Sequence, residues 1–280
     1  MRDGLAPCTL LAGRYQLERE LGRGGMGVVY RARDLLHEQF GEPTPWVAVK
    51  LLGEAISGCP DAHVLLYSEF ALTRSLSHAR VVRAFSFEVD TPRQAAFFIM
   101  ELMHGITLDR LLQECPEGLP WRELQPMAVQ LLEALAYIHQ QQVLHGDIKP
   151  SNIMVGEAGV RLFDFGLGHG QAQVTAGLPS LSRNRFNAWT PAYAAPELLA
   201  GGVLTAACDL YGAACVLYAL AYGKRLEDRQ LTQKLARPRQ LPRQCWHALR
   251  VALSVDPQRR NISVAQLAEV WGGHRRFWSL

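Results

Sequence analysis

The sequence predicts an α+β chain in two lobes, a small strand-rich one to about residue 101 and a larger helical one from about residue 104. Three observations predict it. Residues 14–50 hold short β-favouring runs separated by glycine and proline turns, and Trp121 to His139 holds apolar residues at helical spacing. Between them, Glu101-Leu-Met-His-Gly105 breaks the strand pattern. The chain has 280 residues, 49% of them hydrophobic, which suffices to bury a core in one large domain or two lobes.

Tyr15, Leu17 and Leu21 are spaced for a half-buried strand, Val28-Val-Tyr30 favours a second, and Trp46-Val-Ala-Val49 follows a proline-rich turn. Between the first two runs lies Gly22-Arg-Gly24-Gly25-Met-Gly27. Without side chains, such a loop lets backbone amides approach phosphates closely. Glycines also simply make hairpins, and a dinucleotide-binding fingerprint competes. That fingerprint needs a helix after its last glycine, whereas Val28-Val-Tyr30 continues as strand. Lys50 ends the third run, where a lysine is either a solvated charge or a group pointed at the same phosphates. A helix over about Asp61 to Leu76 carries Glu69, either a surface charge or the partner of Lys50.

Val81 to Phe87 and Ala95 to Met100 read as a hairpin closed over Asp90-Thr-Pro92, and Leu108 to Leu112 as a short helix. In Trp121 to His139 the residues Leu124, Met127, Ala128, Leu131, Leu135 and Ile138 form a core stripe. Asn152 to Val155 and Val160 to Phe163 flank a glycine turn as a small hairpin, which sets Asn152 and Asp164 at neighbouring strand ends. Gly166 to Arg183 lacks periodicity and reads as a loop, and the part after Glu197 is mostly helical, with Leu210 to Tyr222 buried.

Chemistry concentrates in His145-Gly-Asp-Ile-Lys-Pro-Ser-Asn152 and Asp164-Phe-Gly166. Asp147 can take a hydroxyl proton, Lys149 can meet a phosphate, and the Asn152 amide with the Asp164 carboxylate can hold a hard cation. Mg²⁺ keeps water and nucleotide phosphates as its remaining ligands, so two protein oxygens are a sufficient share. The reaction these groups imply is phosphoryl transfer.

Composition narrows the alternatives. Net charge is +3, and the 20% charged fraction gives no support to nucleic-acid binding. Residues 225–276 hold eleven Lys/Arg against four Asp/Glu, which reads as a helical lobe with solvated arginines or as a docking face. The six cysteines form no Cys-x-x-Cys pair, which points to reduced thiols and a cytoplasmic setting. The segment Met1 to Leu11 is too short in apolar residues for a secretory leader, and no uncharged apolar run reaches the roughly 18 residues of a membrane span. His274-Arg-Arg-Phe-Trp278 reads as a plain helix end or as a membrane-interface segment of a longer protein.

With the glycine loop, Val-Ala-Val-Lys50, the His145–Asn152 stretch, Asp164-Phe-Gly and Ala195-Pro-Glu in that order, residues 14–271 resemble the eukaryotic-type protein kinases. Lys149 resembles the serine/threonine branch. The glycine wording and the Arg- and Ala-rich composition look like bacterial members, and the long connection from Asp34 to Pro45 is similar to kinases linked to bacterial secretion systems. The resemblance implies the bilobal kinase fold over residues 14–275, with lobes at about 14–101 and 104–275. It implies ATP and Mg²⁺ or Mn²⁺ as cofactors, a protein substrate with autophosphorylation, and is compatible with a homodimer.

Residue by residue, the resemblance implies that Leu21, Gly22, Gly24, Gly25 and Gly27 cover the nucleotide and that Lys50, paired with Glu69, holds its phosphates. Val29, Ala48 and Met154 would sandwich the adenine, Met100 would close the back of its pocket, and Glu101 and Met103 would offer backbone hydrogen bonds. Asp147 would be the catalytic base, Lys149 and Thr190 would attend it, Asn152 and Asp164 would hold the metal, and Glu197 would pair with Arg260. Two positions depart from the family. Gly146 replaces the arginine before the catalytic aspartate, which puts in doubt the common phosphate switch. Ala214 replaces a glycine, a small change. Two other classes compete: a pseudokinase or nucleotide-binding module, against which Lys50, Asp147 and Asp164 are all present, and a small-molecule kinase, against which Thr190 to Glu197 stands as a peptide-facing platform.

Overall fold

The computed structural model describes residues 8–24, 27–53, 62–166, 168, 190–226 and 235–273. Its contacts divide the chain into two units. The first holds the described residues as far as Ser77 together with Val82–Met103, and the second holds His78–Val81 and the described residues from His104 onward, the masked segment apart.

The first unit is an antiparallel sheet with one long helix against it. Its strands are β1 (Leu10–Leu11), β2 (Tyr15–Gly24), β3 (Gly27–Asp34), β4 (Trp46–Leu52), β5 (Ala84–Asp90) and β6 (Ala95–Glu101), in the order β1-β2-β3-β4-β6-β5. Alternation along the strands sorts their side chains into two faces. On one, Val28, Tyr30, Ala32, Val47, Val49, Leu51, Phe97 and Ile99 close a core with Leu11, Tyr15 and Leu17. The register pairs Val29 with Lys50, Ala48 with Met100 and Lys50 with Phe98, so these five share the opposite face. Against that face lies α2 (Ala62–Ser75), whose Phe70 ring sits 5.9 Å from Phe98.

A short helix, α1 (Leu35–Gln39), occupies the connection before β4 and buries none of its residues. Asp34 holds it by accepting from the backbone of Leu36 and His37, while Arg14 grips the same carboxylate at 2.7 Å. At the other side of the sheet, buried Asp90 accepts from the Ala12 amide at 3.0 Å and fixes the turn before β2.

The second unit is built on α4 (Trp121–Gln140) and α6 (Ala206–Tyr222). Every residue of α6 from Cys208 to Ala221 is buried, as the apolar run predicts. Around them stand β7 (Ile106–Thr107), α3 (Leu108–Glu114), β8 (Ile153–Gly156), β9 (Gly159–Leu162), α5 (Pro196–Leu199), α7 (Arg243–Ala252) and α8 (Val264–Trp271). A one-turn 3₁₀ helix, Pro150–Asn152, precedes β8 and packs against α3.

Three expected boundaries shift. The hairpin strand expected from Val81 begins at Ala84, because Val81 bridges to Leu162 and His78 stacks on Tyr137 at 4.7 Å, both in the second unit. Asn152 belongs to the 3₁₀ turn, not to the strand after it. The division between units falls after Met103, close to the expected break, but His78–Val81, expected in the first lobe, groups with the second.

Candidate active site

The first unit contributes a glycine hairpin and a buried ion pair. Among the described glycines of the hairpin, Gly27 is demanded by packing, since a Cβ there would lie 2.2 Å from the Leu51 carbonyl oxygen. Gly22 and Gly24 differ: a Cβ on either would meet nothing within 4 Å, and neither has a positive φ. Fold and conformation therefore do not require glycine at these two positions, and close approach of a ligand to the backbone is the remaining use. Gly25 lies outside the described residues. Leu21 is exposed at the edge of the hairpin.

Behind the hairpin, Lys50 is 5% and Glu69 3% exposed, and the ammonium meets the carboxylate at 2.5 Å. A buried lysine–glutamate pair is weak as a source of stability, because desolvation offsets attraction. Its effect is to hold an ammonium at a fixed point on the face shared with Val29, Ala48 and Met100. At the end of β6 the Glu101 N–H donates to the Arg83 carbonyl at 3.0 Å and its carboxylate accepts from the Arg83 amide at 2.8 Å. Met103 makes no backbone hydrogen bond among the described residues, so it is the better candidate of the two for bonding a ligand through its N–H.

In the second unit, Asp147 is the centre of a cluster. Lys149 Nζ lies 2.6 Å from Asp147 Oδ2 and donates to Thr190 Oγ1 at 3.1 Å, and Thr190 in turn donates to Asp147 Oδ1 at 3.3 Å. Asn152 Nδ2 donates to the Asp147 carbonyl at 2.9 Å and to Asp147 Oδ2 at 3.2 Å. Two acceptors can be faced only by the NH₂ end of the amide, so the Asn152 oxygen is turned away from Asp147. Phe163 N–H donates to Asn152 O at 3.1 Å, which ties the 3₁₀ turn to the segment carrying Asp164, itself at φ +67°. Met154 sits half-buried in β8, in register with Thr107 and Arg161.

A second layer holds the loop in place, and sequence reasoning passed over its main member. Asp209, 2% exposed, accepts from the amides of His145 at 2.9 Å and Gly146 at 2.8 Å and from His139 Nε2 at 2.9 Å. The available signal was Asp209 as the sole charged residue of α6: a buried carboxylate inside an apolar helix must be partnered. His145, fully buried, donates from Nε2 to the Phe163 carbonyl at 3.0 Å and accepts the Asp147 amide on Nδ1 at 3.2 Å. Gly146 adopts φ +80°, a conformation in which a side chain is strained.

Farther along, Arg260 grips Glu197 through two parallel contacts of 2.5 and 2.7 Å and also donates to the carbonyls of Ala207, Ser254 and Val255. Burial pushes the Glu197 carboxyl up, but the hydrogen bond and charge of Arg260 outweigh it and leave its pKa below the ordinary value. The expected Glu197–Arg260 pair is thus present, and it ties α5 to the segment before α8.

Comparisons with known proteins give the family and the fold. The family described as "Protein kinase domain" matches residues 15–271. The serine/threonine-protein kinase PkaA of Streptomyces coelicolor is 32% identical over 273 residues, which is 89% of this chain and 48% of that protein. The DNA damage-responsive serine/threonine-protein kinase RqkA of Deinococcus radiodurans is 32% identical over 288 residues, 97% of this chain and 41% of its own length. This chain therefore spans less than half of each. Among solved structures, the kinase domain of Mycobacterium tuberculosis PknI superposes with a TM-score of 0.71 at 25% identity, covering 96% of this chain and 98% of that one. With the family matched over nearly its whole length and the Asp147 cluster in place, the chain belongs to the protein kinase family.

Proposed function

We propose that this chain is a serine/threonine protein kinase that moves the γ-phosphoryl group of ATP onto hydroxyls of protein substrates, itself included. The observation that carries the reading is the Asp147 carboxylate, oriented at once by Lys149, Thr190 and Asn152. In the reaction the substrate hydroxyl oxygen bonds to the γ-phosphorus, the bond from that phosphorus to the β,γ-bridging oxygen breaks, and ADP leaves. The hydroxyl proton passes to Asp147. Lys149, two residues on, presents its ammonium beside the base, where it offsets charge on the transferred group. Lys50, held by Glu69, and the open backbone at Gly22 and Gly24 are assigned to the nucleotide phosphates. Val29, Ala48, Met100 and Met103, all in the first unit, are assigned to the adenine.

The donors present suit a divalent cation. Asn152 turns an amide oxygen away from Asp147, and Asp164 supplies a carboxylate, two hard oxygens of the kind Mg²⁺ prefers. When bound, the metal neutralises charge on the β and γ phosphates. That the named relatives are serine/threonine-protein kinases supports the hydroxyl acceptor.

The test is direct. Purified chain with γ-labelled ATP and Mg²⁺ is expected to place label on serine or threonine of a generic protein substrate or of itself, and chelation of the metal is expected to stop it. Label on neither protein, with the nucleotide bound, would overturn the reading in favour of a binding module.

A further inference from the structure

We propose that the exposed arginine surface around helix α7 is a docking face for an anionic membrane surface. The inference goes beyond the kinase reading and does not depend on it. The charge of this chain is unevenly spread: residues 225–276 carry a net +7 and the remainder −4, which leaves the overall +3. Much of that excess gathers in one region of the second unit. Arg243 and Arg250 stand two turns apart on α7, so they share a face, and both are exposed. Exposed Arg237 and Arg239 precede the helix in a turn closed by the Leu241 N–H on the Pro238 carbonyl at 3.1 Å. That segment is held against the end of α6, where Tyr218 donates to the Ala236 carbonyl at 3.4 Å and Gln240 to the Ala221 carbonyl, and exposed Arg225 follows α6.

Internal stabilisation does not account for this cluster. None of these five arginines has an ion pair among the described residues, whereas Arg259 and Arg260 are paired with Asp256 and Glu197. Arg250, in the last turn of α7, complements the negative end of its own helix. Arg243 does the opposite: it stands at the first position, beside the positive end, in a turn with no acidic residue and no side-chain cap. Like charges there repel, and an anion outside the protein reverses the sign of that interaction. The adjoining sequence favours a lipid surface over an acidic polypeptide. Helix α8 ends beside the start of α7, with Cys245 Sγ donating to the Val270 carbonyl at 3.7 Å. From there the chain continues as Gly272-Gly-His-Arg-Arg-Phe-Trp278, two more arginines followed at once by two large aromatic residues, of which those from His274 onward lie outside the described residues. Arginine meets lipid phosphates while tryptophan and phenylalanine enter the headgroup boundary, a combination that recognition of an acidic peptide by charge does not need. No helix among the described residues is long and apolar enough to cross a membrane, so the association proposed is with its surface.

The experiment sediments the full chain with vesicles of phosphatidylcholine alone or with about one third phosphatidylglycerol. Wild-type protein is expected to pellet with the anionic vesicles and not with the neutral ones, and to be released by roughly 0.5 M salt. Arg243→Glu with Arg250→Glu should lower the vesicle partition coefficient by about tenfold or more, and the corresponding pair of glutamine substitutions by less. Phe277→Ala with Trp278→Ala should lower it at unchanged charge. All these variants should keep the wild-type thermal midpoint and the transfer to a soluble protein substrate. Absence of binding to anionic vesicles, equal binding to neutral ones, or binding that survives the glutamate pair would each overturn the inference. Undiminished binding by the aromatic variant, or tighter retention on polyglutamate or single-stranded DNA than on the vesicles, would overturn the membrane as the occupant. Absence of transfer by the wild-type chain would bring down the kinase reading alone, because vesicle binding is read without it.

Discussion

Around Asp147, each neighbour constrains a different atom, and this makes the effect of substituting it calculable. In Asp147→Asn the new amide oxygen can still accept from Lys149 and Asn152, while its NH₂ can donate to Thr190 Oγ1. The geometry survives and the proton acceptor does not. Turnover should fall by roughly 10²–10⁴ with ATP affinity retained, measured by nucleotide titration beside steady-state kinetics. Asp164 is at φ +67°, so alanine there would confuse a chemical loss with a backbone one; asparagine tolerates that conformation. Asp164→Asn is therefore expected to keep its thermal midpoint and lose Mg²⁺-dependent transfer, and near wild-type turnover would remove Asp164 from the metal site. At Glu197 the folded pKa is depressed, so the unfolded chain binds the proton more readily. Its stabilisation is present above the ordinary carboxylate range, about 4, and is lost as pH falls through the lower folded value. Glu197→Gln should flatten that part of an acid denaturation profile, while a profile unchanged in slope would show that Arg260 holds the segment without the charge.

At the scale of elements, the glycine hairpin separates a packing role from a binding role within six residues. Gly27→Ala drives a methyl into the Leu51 carbonyl and should destabilise the first unit by roughly 1–3 kcal/mol, read by chemical denaturation. Gly22→Ala and Gly24→Ala meet open space and should leave stability nearly unchanged while raising the KM for ATP. Equal destabilisation by all three would mean that the loop is glycine-rich for the hairpin alone. The long helices were legible for different reasons, α4 from its periodic apolar stripe and α6 from its unbroken apolar run: α4 was expected to His139 and ends at Gln140, and α6 was expected from Leu210 and begins at Ala206. What escaped has physical reasons. The strands β1 and β7 have two residues each and exist only through pairing with β2 and β8, and α1 buries nothing, so no periodicity marks it. The Lys50–Glu69 pair was legible from motif order, whereas the 3₁₀ turn that takes Asn152 out of the strand and the anchoring of the loop by Asp209 depend on contacts across dozens of residues.

For the whole molecule, the open question is what turns activity on, and Gly146 bears on it twice. It stands where the family resemblance leads one to expect an arginine that could meet a phosphorylated loop, and it occupies φ +80°, where an arginine would cost roughly 1–2 kcal/mol. The Gly146 amide is still anchored by Asp209, so the loop is ordered without any phosphate. Of the two cations tied to this site, Lys149 is engaged by Asp147 and Thr190, and Arg260 by Glu197. Neither is in reserve. The candidates for modification between Gly166 and Trp189, namely Thr175, Ser180 and Ser182, lie outside the described residues, as do Arg183 and Arg185. A catalytic loop already fixed by internal hydrogen bonds gains little from a new charge-assisted pair. Activity is therefore expected to depend little on phosphorylation of that segment and to be set by substrate supply or a partner. A variant with Thr175, Ser180 and Ser182 all changed to alanine should keep its kcat/KM toward a protein substrate within about threefold of wild type, a barrier change of under roughly 0.7 kcal/mol. A loss of about a hundredfold, on the order of 2.7 kcal/mol in the barrier, would show that phosphate on this segment completes the site despite Gly146.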